Sequence, residues 1–564
     1  MTHRKTWLLA STIASVPFWL AAPARAQTDS SDARISAIEA QIKSLQSQLQ
    51  QVTRELHNAQ AQVARESTRA REAETRAAQT TIAPRAAPLS PGQNPQYGQA
   101  APPGAAVGPA PAVQAVAAPP SPPSPPGQFQ LGGVSVQLGG FVEAAGIFRS
   151  RNETADIASN FNAIPLPNSP QYHQTEFRGT ARQSRLSLLI GGKPSDTESV
   201  AAYGEFDLQG AGANSNSLES NSYVPRVRQA YATYDNSDWG LHVLGGQAWS
   251  LLTMSKNGMV PRQENIPLTI DAQYVVGFDW ARQAQLRVAK SLDEDRIWLG
   301  ASLEEPQTNY YVGPNGTGVT GRTVTTTSAG GSGFSSSTNY SSDVAPDLVV
   351  KATWDPGFGH YEAYGVGRLF RTRVSSLGSG QNETTVAGGG GAAVLLPVLG
   401  NDRLNFQASA LAGEGIGRYG SGQLPDATVS QSGSAKPLPE VMALAGFTSK
   451  ITPRVQIYAY GGTEQIIDRA AFVSGGRGFG YGSPLYVNTG CSIELSTAGC
   501  VANTSGLVEG TLGAWWTFLK GNYGSMRLGA QYAYVKRDIF SGVGGGPSTD
   551  DNIVMVSFRY YPFE

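Results

Sequence analysis

The chain ends on the stretch Ile553-Val554-Met555-Val556-Ser557-Phe558-Arg559-Tyr560-Tyr561-Pro562-Phe563-Glu564, which alternates apolar with polar residues and is rich in aromatics. Alternation of this kind marks a strand with one face in an apolar medium and the other in a polar one. A terminal strand leaves an edge of unpaired backbone groups unless another strand covers it, and closure onto the first strand of a barrel removes that edge altogether. The expected fold class is therefore all-β, a membrane-spanning antiparallel β-barrel.

At the other end, His3, Arg4 and Lys5 precede an apolar run from Trp7 to Ala22 and the small-residue pattern Ala24-Arg25-Ala26. This is the pattern of a cleaved secretory signal over residues 1–26. The run is shorter than a helical span requires, and no later stretch approaches the ~20 consecutive apolar residues such a span needs. A mature protein that lives in a membrane would have to cross it with strands.

Residues 27–80 read as a coiled coil. Ile35, Ile42, Leu49, Leu56 and Val63 recur at one core position and Ile38, Leu45, Val52 and Ala59 at the other, with polar residues between. A lone helix would leave this narrow apolar stripe in water, so self-association is expected, and Ile at both core positions in the first turns favours three strands. Residues 81–130 change to Pro, Ala, Gly and Gln, closing on a run from Pro119 to Gly127. No core can form from that composition; it is a semi-rigid spacer.

Residues 131–564 divide into alternating segments joined in turn by tight turns and longer loops. The turns fall at Gly191 to Thr197, Asp235 to Trp239, Leu292 to Arg296, Asp355 to Gly359, Gly400 to Arg403, Lys450 to Pro453 and Lys520 to Tyr523. Seven turns interleaved with eight longer loops imply about sixteen strands, an even number that returns both ends to one side. Leu404, Phe406 and Ala408 alternate with Arg403, Asn405 and Gln407, and Val200, Ala202 and Phe206 with Tyr203, Glu205 and Asp207. With 66 Gly, 22 Tyr and 19 Phe and a mean hydropathy of -0.23, the hydrophobicity is spread thinly along β-rich segments.

The order of signal, short coiled coil, Pro-rich spacer and barrel resembles the trimeric outer-membrane porins, most closely the DcaP-like branch. Arg185-Leu186-Ser187-Leu188, Gly204-Glu205-Phe206-Asp207 and Arg226-Val227-Arg228-Gln229-Ala230-Tyr231 carry the likeness together with that order. The resemblance implies a homotrimer of sixteen-stranded barrels in the outer membrane, in contact with its lipid and lipopolysaccharide, with the coiled coil in the periplasm. It also implies that the third long loop folds inward to narrow the channel. Counting strands puts that loop at Leu251 to Val276, with Lys256, Arg262, Glu264 and Asp271 on it. Arg185, Glu205, Asp207, Arg226, Arg228 and Arg287 are the expected wall residues facing it. One departure is the final Glu564, where porins of this kind usually end on an aromatic residue.

Other function classes find little support. The five histidines are scattered, and neither a Gly-x-Ser-x-Gly elbow nor a His-Glu-x-x-His pair occurs, so no enzyme, cofactor or metal site is expected. A formal net charge of -1 argues neither for a nucleic-acid partner, and none is expected, nor for an anionic surface. Cys491 and Cys500 lie close together in a polar segment of an exported chain and are expected to form a loop disulfide. The expected function is diffusion of small hydrophilic solutes through a water-filled channel. Anions such as organic acids should be preferred, because arginines outnumber carboxylates at the positions turned inward. The alternatives are an adhesin or envelope-tethering barrel and a barrel hydrolase.

Overall fold

The computed structural model of the chain describes residues 127–210, 223–330, 338–399 and 403–564. The expected signal peptide, the coiled coil and the spacer up to residue 126 lie outside the described residues. Strand structure begins inside the segment assigned to the spacer. An arm, Gln128–Leu131, folds back on Val134–Gln137 around Gly132 and Gly133.

Among the described residues sixteen antiparallel strands form one wall. β1 is Val134–Arg149, and β2 has two segments, Glu176–Thr180 and Arg185–Gly192, both paired with β1. β3 Glu198–Gly210, β4 Val224–Asn236, β5 Leu241–Trp249, β6 Arg282–Leu292 and β7 Ile297–Glu304 follow. Then come β8 Asp347–Trp354, β9 His360–Ser376, β10 Ser379–Pro397, β11 Leu404–Glu414 and β12 Pro439–Thr452. The last four are β13 Val455–Ile466, β14 Thr504–Gly521, β15 Gly524–Ile539 and β16 Ser548–Tyr561. β16 closes the ring on β1, with Arg559 opposite Glu143 and Ile553 opposite Arg149. The C-terminal strand has no free edge, as its alternation required.

The two faces of the wall have inverted polarity. On β1, Val142 is 62 % exposed and its neighbour Glu143 2 %. Along β16, Val554, Val556 and Phe558 are exposed whereas Asp551, Ser557 and Arg559 are buried, and on β6 exposed Leu286 and Val288 alternate with buried Gln283, Gln285 and Arg287. Exposed apolar residues recurring on most strands of the wall would be unstable in water and suit hydrocarbon.

The strands reverse at 193–197, 237–240, 293–296, 355–359, 453–454 and 522–523, as the turn residues predicted; the seventh turn, at 400–402, lies outside the described residues. One loop expectation requires correction. Eight longer loops were expected at the opposite end, but β9 and β10, of 17 and 19 residues, meet in a turn of only Leu377 and Gly378. Gly378, at φ +74°, supplies the positive φ that a two-residue hairpin needs. The hairpin therefore projects as strand where a loop was expected.

Candidate functional site

The connection between β5 and β6, residues 250–281, is the third long loop, and it turns into the barrel. Its apolar side chains, Leu251, Leu252, Met254, Ile270, Val275, Val276 and Phe278, are buried. Its own backbone amides need partners once out of water, and inward residues of the wall provide them. Glu304 on β7 accepts from the amide of Leu251 at 2.8 Å, and Glu362 on β9 from that of Ser255 at 2.8 Å. Asp355 in the β8–β9 turn accepts from Gly258 at 2.9 Å. Glu464 on β13 accepts from Gly277 and Glu509 on β14 from Val276, both at 2.8 Å. Amide and indole groups complete the circuit. Gln531 accepts from the amide of Ile270 at 2.6 Å, and Trp515 donates to the Leu268 carbonyl at 2.8 Å.

Two glycines allow the close approach. A Cβ on Gly462 would stand 1.8 Å from the carbonyl oxygen of Val276, and one on Gly277, whose φ is +88°, would stand 2.1 Å from that of Ala443. Neither position can carry a side chain without moving the loop off β12 and β13.

The wall opposite these carboxylates is cationic. Arg226 on β4 holds Asp207 on β3 through two bonds, Nε to Oδ1 at 3.0 Å and Nη2 to Oδ2 at 2.7 Å. Arg228 donates through Nη1 to Asp207 at 3.0 Å, pairs with Glu205, and donates through Nη2 to the Tyr274 hydroxyl on the loop at 3.0 Å. Arg185 on β2 reaches Glu205 at 3.6 Å. Five of the residues singled out in the sequence thus form one network of three guanidiniums and two carboxylates. Lysines in their place could not form the paired bonds that a planar guanidinium makes.

The other singled-out residues are dispersed. Arg287 is buried and donates to the Trp249 carbonyl at 2.6 Å and to Gln285. Lys256 lines a separate cavity of about 340 Å³ with Gln407 and Tyr460. Arg262, exposed and at φ +67°, donates to the Tyr231 hydroxyl at 3.4 Å. Glu264 is half-buried, and burial raises its carboxyl above the ordinary range. Asp271 is buried within the loop cluster and accepts from the amides of Ser159 and Gln273; burial pushes its carboxyl up as well. Cys491 and Cys500 are joined in a disulfide.

Sequence reading missed four residues here. Tyr274 was not distinguishable from any aromatic on a loop. Arg282, on the first residue of β6, and Arg418, in the 415–438 connection, also line the mouth of the barrel, and no local pattern around either one marks it. Asp279 was likewise silent in the sequence. It is buried near Lys351, Glu464 and Glu362, and burial, which outweighs the lysine, pushes its carboxyl up to about 8.

No family model and no curated protein sequence matches the chain. Solved structures do. The outer membrane channel DcaP of Acinetobacter baumannii aligns over 77 % of this chain and 99 % of its own length, with 19 % identity and a TM-score of 0.53. OmpT, an outer membrane protein of Vibrio cholerae, aligns over 77 % and 99 % with 10 % identity and a TM-score of 0.40. Salmonella typhi OmpF aligns over 77 % and 100 %, also with 10 % identity and a TM-score of 0.40. The likeness to DcaP is one of fold: this chain has the β-barrel fold of that channel.

Proposed function

We propose that the chain is an outer-membrane porin, a water-filled channel through which small hydrophilic solutes diffuse. The observation that carries this reading is the inverted wall, apolar outside and polar inside, with a long loop folded inward and tied to the wall by five carboxylates. A tethering or adhesin barrel has no need of such a loop. It narrows the lumen while leaving a cationic face of arginines on β2, β4 and β6.

Anions are the favoured solutes. Glu304, Glu362, Glu464 and Glu509 are engaged by loop amides, which withdraws them from the solute path. Arg226 retains a side chain 34 % exposed beside its carboxylate partner. We further assign the protein to homotrimers in the outer membrane, with the heptad region of residues 27–80 in the periplasm as a self-associating clamp. The test is single-channel recording of the purified protein in a planar bilayer. Discrete conductance steps that occur in threes, with a reversal potential on the anion side, are expected. A protein that inserts without conducting would overturn the porin reading.

A further inference from the structure

At the mouth of the barrel lies a cavity of about 650 Å³, walled by the connections after β1, β5, β7 and β11. Two guanidiniums line it, those of Arg282 and Arg418, and among the described residues no carboxylate does. Among the described residues neither arginine lies within ion-pair distance of an acid. The Arg418 side chain donates to the Glu305 carbonyl at 2.9 Å, and the nearby Asp347 and Asp426 are held by Arg368. This distinguishes the mouth from the network below it, where every arginine faces Glu205 or Asp207.

The rest of the lining is unusually rich in carboxamides: Asn160, Asn162, Gln307, Asn309, Asn339 and Gln423. Two of the amide contacts across the mouth are long. Asn309 Nδ2 reaches the Gln423 carbonyl, and Gln307 Nε2 the Asn339 carbonyl, each at 3.4 Å. Trp280 and Tyr310 add ring surface. The indole nitrogen of Trp280 and Nη1 of Arg282 are buried without a hydrogen-bond partner among the described residues, so a small side-chain shift toward a bound solute would satisfy them.

We propose that this cavity is a capture site for carboxylated sugars, in which the arginines hold the carboxylate, the carboxamides hold the hydroxyls and the Trp280 ring covers a C–H face of the sugar. Each carboxamide offers both donors and an acceptor, matching a hydroxyl that does both. A guanidinium offers the planar fork that matches a carboxylate. The lining discriminates against simpler solutes. A short aliphatic dicarboxylate satisfies the arginines but sets methylenes against six amides, and a neutral sugar leaves the two guanidiniums, of which that of Arg282 is desolvated, without a counter-charge. The volume falls in the range of small-molecule sites and admits an acidic mono- or disaccharide.

This inference rests on the porin reading, and the experiment separates the two. Titration calorimetry of the full-length protein in detergent uses sodium glucuronate, sodium succinate and glucose as probes, alongside bilayer recording in potassium chloride alone. Saturable glucuronate binding is expected, at least several-fold tighter than succinate, with none for glucose. Arg418→Gln should weaken glucuronate roughly 10-fold or more, the effect of losing a charge-assisted hydrogen bond. Asn309→Ala should weaken glucuronate and leave succinate unchanged; being a surface truncation, it serves where R418Q fails to assemble. Absent glucuronate binding, equal binding of succinate, or indifference to both substitutions would overturn the capture site, even with conduction intact. Loss of conduction alone would instead count against the porin.

Discussion

Arg228 on β4 donates through Nη2 to the hydroxyl of Tyr274, 46 residues later on the inward loop, at 3.0 Å. Tyr274 sits at φ +69°, a conformation that costs a bulky residue of order 1–3 kcal/mol and persists only where surrounding contacts demand it. Burial would raise its phenol, but Arg228, Arg185 and Arg282 around it outweigh burial and hold it below its ordinary value. The Tyr274 hydroxyl thus lies among the arginines of this face and pins the loop to it.

Removal of that hydroxyl should loosen the pin. Tyr274→Phe leaves one guanidinium N–H of Arg228 unpartnered, a loss of about 1.5–3 kcal/mol for a hydrogen bond to a charged group. The barrel, held by its strand ladders, should assemble normally. Single-channel traces should show a larger or noisier conductance as the loop leaves the wall more often. Traces indistinguishable from wild type would mean that the carboxylate contacts alone hold the loop.

Gly462 is the complementary test from the opposite wall. In Gly462→Ala the new Cβ would fall 1.8 Å from the Val276 carbonyl, so the loop must retreat and stretch the hydrogen bonds that the Val276 and Gly277 amides donate to Glu509 and Glu464. Overpacking of this kind costs about 1–3 kcal/mol. The expected outcome is a lower melting temperature and altered conductance, with Gly510→Ala on β14, where a Cβ meets nothing within 4 Å, as the neutral comparison. A melting temperature unchanged in G462A would contradict the close approach.

Asp279 sets a pH dependence. Its folded-state carboxyl is raised to about 8 from an ordinary 3.8, with burial as the main cause. The folded protein therefore binds this proton more tightly than the unfolded chain does. That contribution to stability is fully present below about pH 4 and is lost as pH rises through 8. Glu153, on the connection after β1, is also raised to about 8 by burial and acts in the same direction. Thermal stability should fall between about pH 4 and 8, and Asp279→Asn should flatten part of that decline. An equally steep decline in D279N would remove Asp279 as its source.

The barrel was legible because its constraints are local and repeated. Each strand carries its own alternation, as Val200 to Leu208 does, and each turn its own Gly, Asn or charged residues. Closure then follows from a terminal strand that needs a partner. The β9–β10 hairpin escaped because polar, Gly-rich residues such as Ser379 to Thr385 suit either a loop or a strand projecting into water. The site was half legible. Arg226, Arg228, Glu205 and Asp207 could be read because two adjacent strands place them at alternating positions, so that register alone brings them together. Tyr274, Asp279, Arg282 and Arg418 depend on how a 32-residue loop and a distant connection pack, and no periodicity encodes that. The same limit governs Glu464 and Glu509. Alternation turned their side chains inward, but only the folded loop makes them amide acceptors.

The engagement of those carboxylates leads to a prediction about ion preference. Of the acids on the arginine face, Asp207 is the most heavily used, receiving Arg226 Nε and Nη2, Arg228 Nη1 and the amide of Gln209. Asp207→Asn removes one negative charge and leaves an acceptor that cannot satisfy both guanidiniums. Arg226, already one-third exposed, then faces the lumen without a counter-charge. The reversal potential in a potassium chloride gradient should move further toward anions. Arg226→Glu, which sets like charges side by side, should move it toward cations. Because charges across water are screened within ~10 Å at 0.1 M salt, both shifts should grow as the salt is diluted. A wild-type channel selective for cations, or a D207N channel that shifts toward them, would show that the solute path avoids this face and runs instead past carboxylates that the loop leaves uncovered.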